Sequence, residues 1–212
     1  MEPFFLSYFL NDQTPAYGGA KGLVTLETTG SIDKGNTANQ LRISIPNHIG
    51  THIDFPFHFS NSGKKCVDYP ASFWVFNKVG YLNCTIETVP ENLANLSEDI
   101  ELLILKTGFG EKRESSEYWS SQPVIPAAFA KLFRSKFPQL RVFGFDLISL
   151  TSKLDREEGA IAHRAFLLEQ DILILEDMAL QNTASELFLN QVLIAPLMID
   201  EADGVPCTVI AF

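Results

Sequence analysis

Cysteine is scarce and unpatterned: the chain has three, Cys66, Cys84 and Cys207, an odd number with no CxxC spacing. That argues against a disulfide framework and a thiolate zinc site, and it makes a reducing cytoplasm the expected compartment. Basic clusters are missing as well. With a net charge of −10, the chain repels phosphate backbones and anionic lipid, so nucleic acid and membrane surfaces are not expected as partners and a small-molecule substrate is. No apolar run is long enough to span a bilayer: the stretch Phe4-Phe5-Leu6-Ser7-Tyr8-Phe9-Leu10 is too short, and Glu2 with no basic residue before it does not open a secretory signal. The sequons at Asn83 and Asn95 are therefore read as chance matches.

What is present is an ordinary globular composition, 46 % hydrophobic and 20 % charged over 212 residues, enough for one sizeable core and a single domain over residues 1–212. Apolar runs and alternation predict strands at residues 4–10, 22–28, 41–45, 78–86, 101–106, 141–146, 171–176, 191–199 and 205–212. Residues 111–121 read as a charged surface helix or loop. Phe129, Leu132, Phe133 and Phe137 follow Pro126 at spacings of three and four, which predicts an amphipathic helix ending near Pro138. A turn-rich segment over 151–159 then leads to one or two helical turns at 163–168. Strands outnumber helices, so the expected class is α/β, β-rich with a mixed sheet.

Histidine is sparse too, four in all, yet three of them fall with an aspartate in Asn47-His48-Ile49-Gly50-Thr51-His52-Ile53-Asp54-Phe55-Pro56-Phe57-His58-Phe59-Ser60. Ile49, Thr51, Ile53, Phe55, Phe57 and Phe59 occupy odd positions, and His48, His52, Asp54 and His58 occupy even ones. On a strand these two sets point to opposite faces, one toward a core and one carrying every metal-capable group. Gly50 and Pro56 interrupt any helix, so a strand with a break is expected.

Imidazole and carboxylate donors suit a hard-to-borderline divalent ion. His52 and Asp54 share a face and can meet one ion directly. His48 would lie about 13 Å from His52 on a straight strand at roughly 3.3 Å per residue, too far to share an ion, so the chain must bend, and Gly50 is the residue that permits it. His58, displaced past Pro56, is a candidate ligand or acid/base group. His163 and Glu176, far downstream, supply the remaining nitrogen and oxygen donors.

The stretch resembles the H-x-G-T-H-x-D-x-P-x-H signature of the cyclase family, which includes bacterial kynurenine formamidases and isatin hydrolases. The similarity extends to Leu103-Ile104-Leu105-Lys106-Thr107-Gly108, Phe143-Gly144-Phe145-Asp146-x-x-Ser149, His163-Arg164-Ala165-Phe166-Leu167-Leu168 with Glu176, and Ala202-Asp203-Gly204-Val205-Pro206. The resemblance implies that family's β-rich α/β fold, a homodimer or larger homo-oligomer, and metal ligands at His48, His52, Asp54, His163 and Glu176. It implies one or two divalent ions, zinc or manganese, with His58 handling protons. Two departures bear on the substrate: Leu6-Ser7-Tyr8 where the family often has Leu-Ser-His, and Cys207-Thr208 where a basic residue often follows the late proline.

The expected activity is metal-dependent hydrolysis of a small amide, cyclic amide or N-formyl compound, with His58 or Glu176 moving the proton to the leaving nitrogen. Two alternatives stand beside it. His52-x-Asp54 with His163 is also the ligand pattern of a non-haem iron oxygenase. That reading leaves His48, His58 and Glu176 surplus, and Leu173-Ile174-Leu175 stands where such enzymes often carry an arginine. The other alternative is a non-catalytic metal-binding protein that keeps the fold.

Overall fold

The structure is a computed structural model that describes residues 2–185 and 187–212. Its strands in chain order are β1 (Phe4–Phe5), β2 (Thr25–Gly30), β3 (Gln40–Ser44), β4 (His52–Asp54), β5 (Val75–Phe76), β6 (Val79–Asn83), β7 (Leu102–Lys106), β8 (Val142–Phe145), β9 (Leu173–Glu176), β10 (Val192–Pro196) and β11 (Gly204–Ala211). Nine of them form one sheet in the order β5-β10-β11-β4-β9-β8-β7-β6, with β1 also paired to β11. β6 to β9 run parallel and the remaining pairs are antiparallel, so the sheet is mixed as expected. β2 and β3 form a separate hairpin.

The parallel half is the core. β7, β8 and β9 read Leu-Leu-Ile-Leu-Lys, Val-Phe-Gly-Phe and Leu-Ile-Leu-Glu, and all their residues are buried, as strands covered on both faces must be. The predicted amphipathic helix spans Ala128–Lys136 and buries Phe129 and Phe133, with Phe137 buried just past its end. Leu132, expected on the same face, is 37 % exposed. The buried stripe runs through positions four apart, and a residue one step from it falls at its margin. Phe133 meets Phe143 of β8 at 5.0 Å and Phe166 at 5.9 Å between ring centroids, tying helix to sheet.

Several local expectations change. Only Phe4–Phe5 of the first apolar run is strand, and Phe9 is 82 % exposed. The region after Thr151 holds a nine-residue helix, Arg156–Arg164, whose N-cap Asp155 accepts from the backbone N–H of Glu158. That cap reads as Asp-x-x-Glu, and the helix runs on into a π-helical segment, Ala165–Glu169, so the turns expected at 163–168 are present as the end of a longer helix. The charged segment 111–121 is not all surface, since Tyr118 and Arg113 are buried.

The histidine stretch is strand only at His52–Asp54, wedged between β11 and β9 and buried at all three residues. Ile53 and Phe55 enter the core as parity predicts, and Ile49 enters a small second cluster with Ala16 and Val24. Phe57 is only half-buried and Phe59 packs against the edge of the core, because Pro56–His58 is a 3-10 turn and strict alternation ends there. Gly50 has φ 61°, and a Cβ there would lie 2.4 Å from a Leu10 methyl. Gly50→Ala is expected to lower stability by at least about 1–2 kcal/mol, the cost of a left-handed L-residue. The midpoint of urea unfolding measures it, and an unchanged midpoint would contradict the left-handed bend.

Candidate metal centre

Two strands, the bend before one of them and one helix bring the predicted donors together. Across the β4–β9 ladder His52 is the register partner of Glu176, and the two side chains meet with Nε2 3.3 Å from Oε2. Asp54, two residues on and on the same face, puts Oδ1 3.6 Å from His52 Nε2. The helix Arg156–Arg164 delivers His163, whose Nε2 lies 3.6 Å from Asp54 Oδ2 and 3.5 Å from Glu176 Oε1. The bend at Gly50 returns His48 to the same place. Its Nδ1 is 2.9 Å from Asp54 Oδ1, and its ring centroid is 5.2 Å from that of His52.

His58 stands apart from these five at the rim, its ring 4.3 Å from His48 and 6.1 Å from His163. It hydrogen-bonds through Nδ1 to Asp203 at 2.6 Å. Asp203, one residue before β11, was not singled out from the sequence. Its only signal was its place inside Ala202-Asp203-Gly204-Val205-Pro206.

The surroundings fix the ring orientations. His52 Nδ1–H donates to the Gly50 carbonyl at 2.8 Å, and His163 Nδ1–H donates to the Gly159 carbonyl at 2.8 Å. Both rings therefore present Nε2 to the carboxylates. Glu176 Oε1 accepts from the Leu150 N–H at 2.6 Å and from the Ser149 hydroxyl at 3.2 Å. Burial alone would lower the histidine pKa values, but Glu176 and Asp54 outweigh it, holding His52 at about 9 and His163 at about 10. Burial pushes the Asp54 carboxyl up, yet His163, His48 and His52 hold it well below the usual carboxylate range.

These residues fit a divalent cation. The donor atoms of His48, His52 and Asp54 lie within 4.8 Å of one another, and so do those of Asp54, His163 and Glu176. Asp54 belongs to both groups, and its buried Oδ1 has no hydrogen-bond partner among the described residues, an arrangement that suits a ligand atom. Three protein donors per group, nitrogen and oxygen only, is the composition of catalytic sites that keep a position open. The cluster forms the floor of a cavity of about 320 Å³, with Pro15, Tyr17, Phe59 and Ile148 among its apolar walls. Phe59 stacks on the His163 ring at 4.8 Å.

The two departures lie elsewhere. Tyr8 donates to Gln181 Oε1 at 2.7 Å under the Arg113 guanidinium, and the buried Cys207 packs near the Thr51 carbonyl. Both border a second, larger groove beside the hairpin β2–β3.

Comparison with known proteins shows the family and the fold. Residues 4–152 match the family model described as "Putative cyclase". A kynurenine formamidase of Bacillus cereus is 30 % identical over 182 residues, covering 85 % of this chain and 83 % of that protein. That of Bacillus anthracis is 32 % identical over 182 residues, covering 85 % and 80 %. Among solved structures, isatin hydrolase A from Labrenzia aggregata, bound to benzyl benzoate, superposes with a TM-score of 0.79 at 20 % identity, over 99 % of this chain and 93 % of that one. It shares the fold.

Proposed function

The chain belongs to the cyclase family, and from that premise we propose that it is a metal-dependent hydrolase cleaving the C–N bond of a small amide, cyclic amide or N-formyl compound. The observation that carries this reading is the pair of histidine–carboxylate groups sharing Asp54 on the floor of an apolar-walled cavity. His48, His52 and Asp54 would hold one ion, zinc or manganese, and Asp54, His163 and Glu176 a second. Such an ion supplies Lewis acidity, acidifying water and polarising a carbonyl.

The protein's own residues do the rest. The Leu150 N–H and the Ser149 hydroxyl engage Glu176 Oε1, which suits a fixed ligand better than a proton carrier. His58 has a partly exposed ring on the cavity wall and a free second nitrogen, so it is assigned the proton delivered to the leaving nitrogen. A cavity of about 320 Å³ walled by Tyr17, Phe59 and Ile148 suits a compact planar ring, such as an N-formyl aromatic amine or a fused lactam, and excludes water from one side of it. An iron oxygenase site built on His52, Asp54 and His163 would leave His48 idle although it lies 2.9 Å from Asp54.

The chain is further read as a cytoplasmic homo-oligomer. Cys66, Cys84 and Cys207 are free thiols, as a reducing compartment keeps them. The hairpin β2–β3 presents Leu26, Leu41 and Ile43 to solvent, a face that a second copy would cover.

Purified protein is expected to take up one to two zinc or manganese ions per chain and to hydrolyse members of a panel of N-formyl aromatics and isatin-like lactams. Chelation should abolish turnover and metal should restore it, whereas Asp54→Ala should lose both ions and more than about 100-fold in kcat/KM. Hydrolysis that survives chelation, or an Asp54→Ala protein with full metal and full rate, would sink the proposal. For the assembly, light scattering should give a multiple of the chain mass, and Ile43→Asp should shift it toward the monomer. A monomeric parent protein would contradict that reading.

A further inference from the structure

Asp203 is held by its main chain independently of its carboxylate. Its carbonyl accepts from the Phe55 N–H at 2.9 Å, and the next residue, Gly204, is the register partner of Asp54. The pairing of β11 on β4 thus delivers the carboxylate to the rim of the centre. There it lies between two imidazoles whose rings are 4.3 Å apart. Oδ2 is 2.6 Å from His58 Nδ1 and 3.1 Å from His48 Nε2, while Oδ1 accepts from the Asn47 side-chain amide. Gly204 also packs against the His48 ring, where a Cβ would lie 2.4 Å from the ring carbon Cε1. His48 therefore has little freedom to turn.

A neutral imidazole has one N–H, and the nitrogen that donates it to a carboxylate is no longer available as a base or ligand. Asp203 consequently decides which nitrogen each ring keeps free. His58 keeps Nε2, and His48 keeps Nδ1, the atom 2.9 Å from Asp54 Oδ1. The four histidines fall into two classes on this basis. Main-chain carbonyls orient His52 and His163, which both present Nε2, whereas one carboxylate orients His48 and His58.

Resting on the metal-hydrolase reading above, we propose that Asp203 is a positioning residue that fixes, through one carboxylate oxygen, the nitrogen His48 presents to the metal and the nitrogen His58 presents to the reacting compound. Ion binding and proton transfer then share a single hydrogen-bond acceptor. Aspartate plays a comparable orienting role toward histidine in Ser-His-Asp triads, and ligand-orienting carboxylates do so in metal sites. The role belongs to the carboxylate, because the strand contact of this residue is made by its carbonyl.

Asp203→Asn keeps the shape and the carbonyl contact but removes the charge and leaves one acceptor oxygen for three donors, the Asn47 amide and the two imidazole N–H groups. Two-bond proton–nitrogen correlation on the zinc-loaded protein reads the tautomers directly, with only four histidines to assign. His58 should be in the Nδ1–H form in the parent and should shift to the Nε2–H form or a mixture in Asp203→Asn. Zinc affinity should fall about 10- to 100-fold, as for other ligand-orienting partners, and Asp203→Glu should recover part of it. With any compound the parent hydrolyses, kcat should fall with KM nearly unchanged, and in a His58→Gln background Asp203→Asn should cost less than it does in the parent, the remaining loss running through His48 and the ion.

An unchanged His58 tautomer together with unchanged zinc affinity in Asp203→Asn overturns the assignment, as does a full additive loss in the double variant. A parent that hydrolyses nothing in the panel counts against the hydrolase reading alone, since the spectroscopic and zinc measurements still decide the role of Asp203. Should Asp203→Asn fail to fold, Asp203→Ser, which removes the carboxylate and keeps the carbonyl contact with Phe55, must move tautomer and affinity in the same direction. No movement there overturns the assignment too.

Discussion

Everything at the centre depends on the register of a three-residue strand. β4 carries His52 and Asp54 on one face and Ile53 on the other, and its neighbours on both sides are locked to it: Glu176 opposite His52 from β9, Gly204 opposite Asp54 from β11. A slip of one residue would send Ile53 into the cavity and both donors into the core. So short a strand cannot hold its register alone. Its buried flanks do so, with Ile53 and Phe55 fully enclosed and the Phe55 N–H bonded to the Asp203 carbonyl. The apolar odd positions are as much part of the site as the donors.

That register brings Asp54 and Glu176 together in a buried place, where burial pushes both carboxyl groups up and the Asp54 charge pushes Glu176 up further. Positive charge has to be supplied nearby, and the fold surrounds the pair with His52, His163 and His48. Burial works against charging these rings, yet the carboxylates hold His52 and His163 in the range of about 9 to 10. A divalent cation meets the same electrostatic demand with less charge spread over side chains, and it uses the Nε2 atoms that the Gly50 and Gly159 carbonyls have already turned inward. The orphaned Asp54 Oδ1 is the local sign of that demand.

Much of this was legible in the sequence, and the reasons differ by residue. The parity of the histidine stretch predicted the two faces of β4, and the 13 Å gap implied by a straight strand predicted a bend at Gly50. The runs that form β7, β8 and β9 were readable because strands buried on both faces are continuously apolar. The helix that carries His163 was obscured by its charged, glycine-containing first turns, where only the Asp155 cap betrays it. Asp203 was obscured for a different reason: an aspartate before a glycine reads as a turn residue, and its proximity to His48 and His58 arises from pairing between segments about 150 residues apart. No local pattern records such a contact.

Glu176 and Asp177 show how the fold separates chemistry from scaffold at adjacent positions. Glu176, the last residue of β9, points to the centre, while Asp177 adopts φ 51° and turns its carboxylate away. There it accepts three hydrogen bonds from the Arg113 guanidinium, from Nε at 2.9 Å to Oδ1 and 3.2 Å to Oδ2 and from Nη2 at 2.7 Å to Oδ2, and one from Tyr118 at 2.6 Å. Its carbonyl accepts from the Thr51 hydroxyl, which ties the end of β9 to the residue before β4. The buried Arg113 in turn lies 3.8 Å from the centroid of the Tyr8 ring. The tyrosine that departs from the family pattern is thus integrated into the support behind Glu176 rather than into the cavity wall. Substitution there can change the scaffold's rear surface and the groove beside the hairpin while the donor set, fixed by the β4 ladders, stays as it is.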